Sequence, residues 1–246
     1  MKRKIIGWSV AAASVLVAAA ILLFVLFWNG VLLFNNPSRA EYPVRGVDVS
    51  SYQGQIDWPA LASKDLSFAF IKATEGSSYV DPYFEYNYQR AQQTHLRIGA
   101  YHFFSYDSSG DTQADNFIRT VEPVDNMLPP VVDLEFYGDK EANPPPRETV
   151  NQQLDLLLTR LEQHYGMRPI LYATEKSYSL YLAGGYEEYD IWIRNVIGTP
   201  QLSDGRDWTF WQYTNRARLE GYRGDEPYID LNVFHGTAAE FEQYGK

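Results

Sequence analysis

Eight short apolar runs recur along the chain with helix-compatible segments between them. This alternation restricts the fold more than any other feature. The runs lie at Val44–Val49, Phe68–Ile71, Ile98–Phe104, Pro130–Glu135, Ile170–Ala173, Asp190–Asn195, Thr209–Tyr213 and Ile229–Phe234. Strands apolar on both faces and separated by helices predict a parallel sheet covered by helices. Eight of them between residues 44 and 234 predict a modified (β/α)8-type barrel near its lower size limit. A doubly wound open sheet is the alternative. No Gly-x-Gly-x-x-Gly follows any run, so no dinucleotide site is expected.

The intervening segments carry helix signals. Asp57-Trp58-Pro59 reads as an N-cap with proline in the first turn. Residues 82–94 form a further helix candidate, and Asp111 reads as the cap of a helix reaching about Val121. Leu154, Leu157, Leu158 and Leu161 fall on one helical face, with Gly166 placed to end that helix. Ser177–Leu182 and Thr237–Tyr244 also read as helical. The segments after the sixth and seventh strands show little helical periodicity, so irregularity is expected there.

The first residues are a separate object. Lys2, Arg3 and Lys4 precede a stretch from Ile5 to Phe34 that holds no charged residue. A spanning helix needs about 20 mainly apolar residues. The alanine triplets at 11–13 and 18–20 sit inside the apolar run rather than after it, which favours an uncleaved anchor over a signal peptide. Residues 1–34 are therefore read as a cytoplasmic stub with one transmembrane helix, 35–43 as a linker, and 44–246 as the catalytic domain. The cations ahead of the span place the N-terminus inside and the domain on the periplasmic or extracellular side of the cytoplasmic membrane.

Charge and composition narrow the function further. Residues 1–41 carry +3 (Lys2, Arg3, Lys4 and Arg39 against Glu41), which leaves −13 on the remainder of a chain whose formal total is −10. That balance excludes general nucleic-acid binding, which depends on basic side chains neutralising phosphates. The absence of cysteine excludes disulfide scaffolds, thiolate metal sites and cysteine nucleophiles. The four histidines form no His-Glu-x-x-His pattern, and there is no Gly-x-Ser-x-Gly or Walker loop. No metal or cofactor is expected.

The sharpest chemical signal is Val131-Val132-Asp133-Leu134-Glu135. Residues i and i+2 of a strand project to the same side, with Cα atoms roughly 6.6–7 Å apart. Crowded, partly buried carboxylates raise the pKa of one member, which keeps its proton near neutral pH. Cleaving an acetal needs such a donor beside a group that stabilises oxocarbenium charge. A solvated strand end or an ion pair is the alternative reading of the tripeptide alone. Asp48 and Asp230 occupy comparable places in the first and last strands, which are neighbours in a closed barrel. Lys72 and Glu75 follow the second strand, and Tyr101, Tyr172, Trp192 and Trp211 lie near other strand ends. Aromatic faces of this kind suit sugar rings. His102 reads as a structural histidine.

At these residues the sequence resembles glycoside hydrolase family 25, the Chalaropsis-type lysozymes. The matching segments are Arg45–Gly54, Ile56-Asp57-Trp58, Phe70–Gly76, Gly99–Phe104, Pro130–Glu135, Trp211–Thr214 and Ile229–Phe234. The resemblance implies a modified barrel, and an N-acetylmuramidase that hydrolyses the β-1,4 bond between N-acetylmuramic acid and N-acetylglucosamine in peptidoglycan. It implies Glu135 as general acid and Asp133 as the group that stabilises the intermediate or positions the acetamido group. Asp48 and Asp230 line the same cleft. Lys72, Glu75, Tyr101, Tyr172, Trp192 and Trp211 are then expected at the substrate, with the protein acting as a monomer. Arg194 departs from the family pattern, which more often has alanine there. A chitinase-like endo-N-acetylglucosaminidase is an alternative, although Val131 stands where the chitinase Asp-x-x-Asp-x-Asp-x-Glu motif requires Asp. A non-catalytic peptidoglycan-binding barrel is another.

Overall fold

The computed structural model describes the backbone of residues 2–246 and the side chains of residues 13–246. All eight expected runs are strands. They are β1 (Arg45–Val49), β2 (Phe68–Glu75), β4 (Arg97–Phe103), β5 (Val131–Leu134), β6 (Ile170–Thr174), β7 (Ile191–Arg194), β8 (Phe210–Ala217) and β9 (Ile229–Phe234). A two-residue strand, β3 (Tyr79–Val80), folds back antiparallel on the end of β2. The sheet order is β1-β9-β8-β7-β6-β5-β4-β2-β3, and β1 also pairs with β2. That pairing closes an eight-stranded barrel and excludes the open sheet.

The expectation of a wholly parallel barrel is corrected at the last strand, because β9 runs antiparallel to both β8 and β1. Parallel neighbours need a crossover, usually a helix, whereas antiparallel neighbours can be joined directly. Residues 218–228, between β8 and β9, hold no helix. The β7–β8 connection lacks one as well, which is the irregularity anticipated there.

A 27-residue helix, α1 (Lys2–Trp28), precedes the barrel. Helices α2 (Trp58–Ala62), α3 (Phe84–Ala91), α4 (Gly110–Thr120), α5 (Arg147–Tyr165) and α6 (Glu175–Ser177) lie outside the barrel wall, a π-helical turn at Tyr178–Leu182 continues α6, and α7 (Ala238–Gln243) packs Phe241 on the interior rings of Phe68 and Phe234. Asp57 caps α2 through a bond from the Ala60 amide. Asp111 lies inside the first turn of α4 rather than at its cap, which is Ser109. Leu154, Leu157, Leu158 and Leu161 of α5 are buried against the sheet, and Gly166 ends the helix at φ +67°. Each such leucine stabilises the fold by about 1.5–3 kcal/mol.

Two apolar layers result. Val47, Ile71, Leu134 and Ile193 face outward against the helices. Phe68, Phe70, Val131, Ile170, Trp192, Phe210 and Phe234 fill the barrel interior. The rings of Phe70 and Trp192 stack at 4.7 Å. Gly46 and Gly99 make room for this filling, since a Cβ there would approach the rings of Phe68 and Phe70 to 2.3 and 2.5 Å. The plug leaves the polar positions nearer the C-terminal strand ends as the floor of a groove.

At α1, the side chains of Val15, Leu16, Val17, Ile21, Leu22, Leu23 and Phe24 are exposed. Among the described residues no helix is long and apolar enough to cross a membrane. The expected span begins at residue 5, and the side chains of residues 1–12 lie outside those described. The helix end docks on the barrel: the Trp28 carbonyl accepts bonds from the Tyr228 hydroxyl at 2.8 Å and from Arg216. Asn35, in the expected linker, is buried and donates to the Asn195 carbonyl at 2.9 Å.

Candidate active site

Alternation along the strands brings the site together. From the floor upward, Phe70 is followed by Lys72, Val131 by Asp133 and Glu135, Ile170 by Tyr172, and Phe210 by Gln212. On the antiparallel β9 the order is reversed, so Asp230 and Asn232 lie toward the mouth and Phe234 below. Asp48, Asp133, Glu135 and Asp230 all line one hollow of about 190 Å³, together with Lys72, Tyr101, Tyr172 and Trp192. The four carboxylates therefore share a groove.

A hydrogen-bonded network holds two of them. Asp48 and Asp230 are direct partners across β1 and β9. The Gln212 side-chain nitrogen donates to both, at 3.0 Å each. Asn232 donates to the same Asp48 oxygen at 2.7 Å. The amide orientations follow from their other partners, because Tyr172 donates its hydroxyl to Gln212 at 3.0 Å and Trp192 donates its indole N–H to Asn232 at 2.8 Å. A carbonyl oxygen that accepts there leaves its NH2 facing the carboxylates.

Burial and mutual charge set the protonation of the groove. Burial pushes Asp48 up to about 6, against the downward pull of the Gln212 and Asn232 bonds and the Arg194 guanidinium. Asp230 rises well above the carboxylate range through burial and the charge of Asp48. Asp133 also rises well above it, through burial and the charge of Glu135. One oxygen of Asp133, Oδ1, is buried with no hydrogen-bond partner. Glu135 is raised by burial, while Arg194 and Lys72 oppose the rise. Like charges in a desolvated groove retain protons into the neutral range. The Tyr101 hydroxyl is held protonated by burial and by the charges of Asp48 and Asp133.

Two expected residues lie elsewhere. Trp211 has the opposite parity to Gln212 and faces outward, where it packs on Trp208 and Tyr42 and donates to the Asn195 carbonyl at 2.8 Å. Glu75 does not line the hollow. A register irregularity between Lys72 and Thr74 turns it to the rim, where it pairs with Lys72 at 2.8 Å. His102 is buried on the outward face between the Thr74 hydroxyl at 2.7 Å and Gln113 at 3.0 Å, and burial lowers its pKa to about 4. The sequence places Gln212 at the end of a strand beside Trp211, but its bridging role and that of Asn232 emerge only from these bonds. A polar amide at an inward position of an otherwise apolar strand was their signal. Among the described residues no group of three or more His, Cys, Asp or Glu side chains is arranged to hold a metal ion.

A plugged barrel whose mouth holds crowded, proton-retaining carboxylates beside aromatic faces is equipped for glycoside chemistry. The family model described as glycosyl hydrolases family 25 matches residues 47–222. The chain belongs to glycosyl hydrolase family 25. A solved family 25 glycosyl hydrolase from Bacillus anthracis is 54% identical, with a TM-score of 0.83 over 87% of this chain and 98% of that one. The Escherichia coli K12 protein YegX, itself uncharacterized, is 38% identical over 83% of this chain and 74% of its own length. Lysozyme M1 of Streptomyces globisporus is 32% identical over 80% of this chain and 69% of its own. As a family 25 member, the protein is a glycoside hydrolase of the lysozyme type, and peptidoglycan is its substrate.

Proposed function

We infer that this family 25 enzyme cleaves the β-1,4 bond between N-acetylmuramic acid and N-acetylglucosamine, with Glu135 as the proton donor. One observation carries the assignment. Of the four carboxylates, Glu135 and Asp230 line both the Asp133 hollow and an adjoining hollow of about 490 Å³, and Asp230 is tied to Asp48 through Gln212, which leaves Glu135 as the acid at the junction. A scissile oxygen bridging two sugars in adjacent hollows lies beside Glu135. The residue is half-buried and its pKa is raised, as a general acid requires.

In the reaction, Glu135 gives its proton to the leaving glycosidic oxygen as the bond to C1 breaks. Asp133 and Glu135 share a proton in this crowded pair, and with that proton on Glu135 the ionised Asp133, whose Oδ1 has no protein partner, stabilises the positive charge at C1 or orients the acetamido oxygen that attacks it. Water then adds at C1 and returns a proton to Glu135. Asp48 and Asp230, bridged by Gln212, hold the groove's charge. Lys72, Tyr101, Tyr172 and Trp192 surround the sugar. The test is Glu135→Gln in the full chain, assayed by reducing-end release from peptidoglycan. Activity is expected to fall about 10²- to 10⁴-fold, and near-wild-type activity overturns the assignment.

A second reading concerns location. The unbroken apolar sequence from Ile5 to Phe34, the three cations before it and the exposed apolar side chains of α1 support a single-pass anchor, with the barrel outside the cytoplasmic membrane. Full-length protein should float with lipid vesicles in a density gradient, and a variant lacking residues 1–28 should stay behind. Equal behaviour of the two rejects the anchor.

A further inference from the structure

Arg194 is the groove residue that the reaction above leaves without a task. It continues the inward row of β7 one step above Trp192, opposite Thr174 of β6 and Gln212 of β8. It is half-buried and lines the larger hollow with Glu135, Tyr172, Lys176, Gln212 and Asp230. No hydrogen bond or ion pair of the Arg194 guanidinium occurs among those formed by the described residues, although it acts electrostatically on Asp48, Glu135 and Asp230.

We propose that Arg194 binds a carboxylate carried by a muramoyl residue of the glycan strand, either its free lactyl group or an acid of its stem peptide. The inference rests on the muramidase reading and names what that site recognises. A bidentate guanidinium matches a carboxylate in shape and charge. The surrounding charges leave Arg194 available. Lys176 of the same hollow is paired with Glu141 at 3.4 Å. Asp230 retains its proton because it is buried against Asp48, and Glu135 belongs to the crowded Asp133 pair. The guanidinium is thus the cation of this hollow whose charge no ion pair satisfies. N-acetylglucosamine has no carboxylate to offer it, whereas every muramoyl unit does, as the lactyl acid or through its peptide. An uncharged glycan such as chitin lacks this contact, so Arg194 gives the hollow a means of distinguishing two polymers with the same backbone linkage.

The test compares wild type, Arg194→Gln and Arg194→Lys of the full chain on three substrates. These are glycan strands stripped of stem peptides, the same strands with lactyl carboxyls converted to methylamides, and intact peptidoglycan. Arg194→Gln should raise KM about tenfold or more on carboxylate-bearing strands, the scale of a lost charge-assisted hydrogen bond, beyond any change in KM that it shows on methylamide strands. Arg194→Lys should recover part of the loss. On methylamide strands only the electrostatic effect of Arg194 on Glu135, Asp48 and Asp230 remains, so the loss there should be at least about tenfold smaller than on carboxylate-bearing strands. Dependence on Arg194 with stripped strands identifies the lactyl acid, and dependence with intact peptidoglycan alone identifies the stem. Equal losses on methylamide strands and on carboxylate-bearing strands overturn the proposal by showing that Arg194 acts only through the catalytic carboxylates. Wild type inert on all three overturns the muramidase reading itself.

Discussion

Asp48 and Asp230 face each other directly across β1 and β9, and the single side-chain amide of Gln212 donates to both. Two carboxylates from opposite ends of the polypeptide are thereby held by one neutral donor rather than by a cation. Proton occupancy follows from this, since a neutral bridge cannot cancel two charges in a desolvated groove.

Stability should therefore decline with pH through the Asp48 transition. Its folded pKa, about 6, lies above the ordinary aspartate value of 3.8. The folded state binds the proton more tightly, so the conformation loses stability as pH rises from about 4 to about 6 and levels off above. Asp48→Asn removes this dependence, worth on the order of 3 kcal/mol. Urea titrations at pH 4 and pH 7 should show the variant gaining on wild type at the higher pH. A constant difference contradicts the account.

Gln212→Leu should act in the opposite direction, deepening the loss at high pH. It removes two donors and leaves the Tyr172 hydroxyl without its acceptor. A cost of about 1–3 kcal/mol is expected, larger at pH 7 than at pH 4, because the amide bond favours ionised Asp48. Thermal denaturation at the two pH values measures it, and a cost independent of pH rejects the bridge.

Trp192 and Trp211 should separate cleanly. Trp211→Phe removes an indole bond to the Asn195 carbonyl behind the barrel wall. It should cost about 1–3 kcal/mol of stability and leave kcat/KM of the folded protein within about twofold. Trp192→Phe unties Asn232 from the Asp48 network and alters the groove wall itself, so kcat/KM should fall about tenfold. Steady-state kinetics beside urea denaturation resolve the pair, and a catalytic loss in Trp211→Phe contradicts the assignment of faces.

The difference between those two tryptophans also shows where sequence legibility ends. Asp133 and Glu135 were readable as a shared face because two positions always return to the same side of a strand. Asp48 and Asp230 were readable as neighbours once the barrel closed. Strands buried on both faces carry no alternation to reveal which aromatic points inward, so Trp192 and Trp211 looked equivalent. Simple alternation would send Glu75, three positions after Lys72, to the opposite face; the irregularity after Lys72 returns it to the Lys72 side, but one step beyond the hollow, and nothing in Lys72-Ala73-Thr74-Glu75 announces it. The direction of β9 was equally hidden. A strand's local spelling does not encode its polarity, and the helix-free 218–228 segment was the available clue.

The central claim is that the groove breaks the muramoyl bond with Glu135 as acid. The most direct measurement is mass analysis of borohydride-reduced products from a peptidoglycan digest. The account predicts reduced N-acetylmuramic acid at the new ends with wild type and their loss with Glu135→Gln. Reduced N-acetylglucosamine at those ends, or undiminished product from the variant, contradicts it.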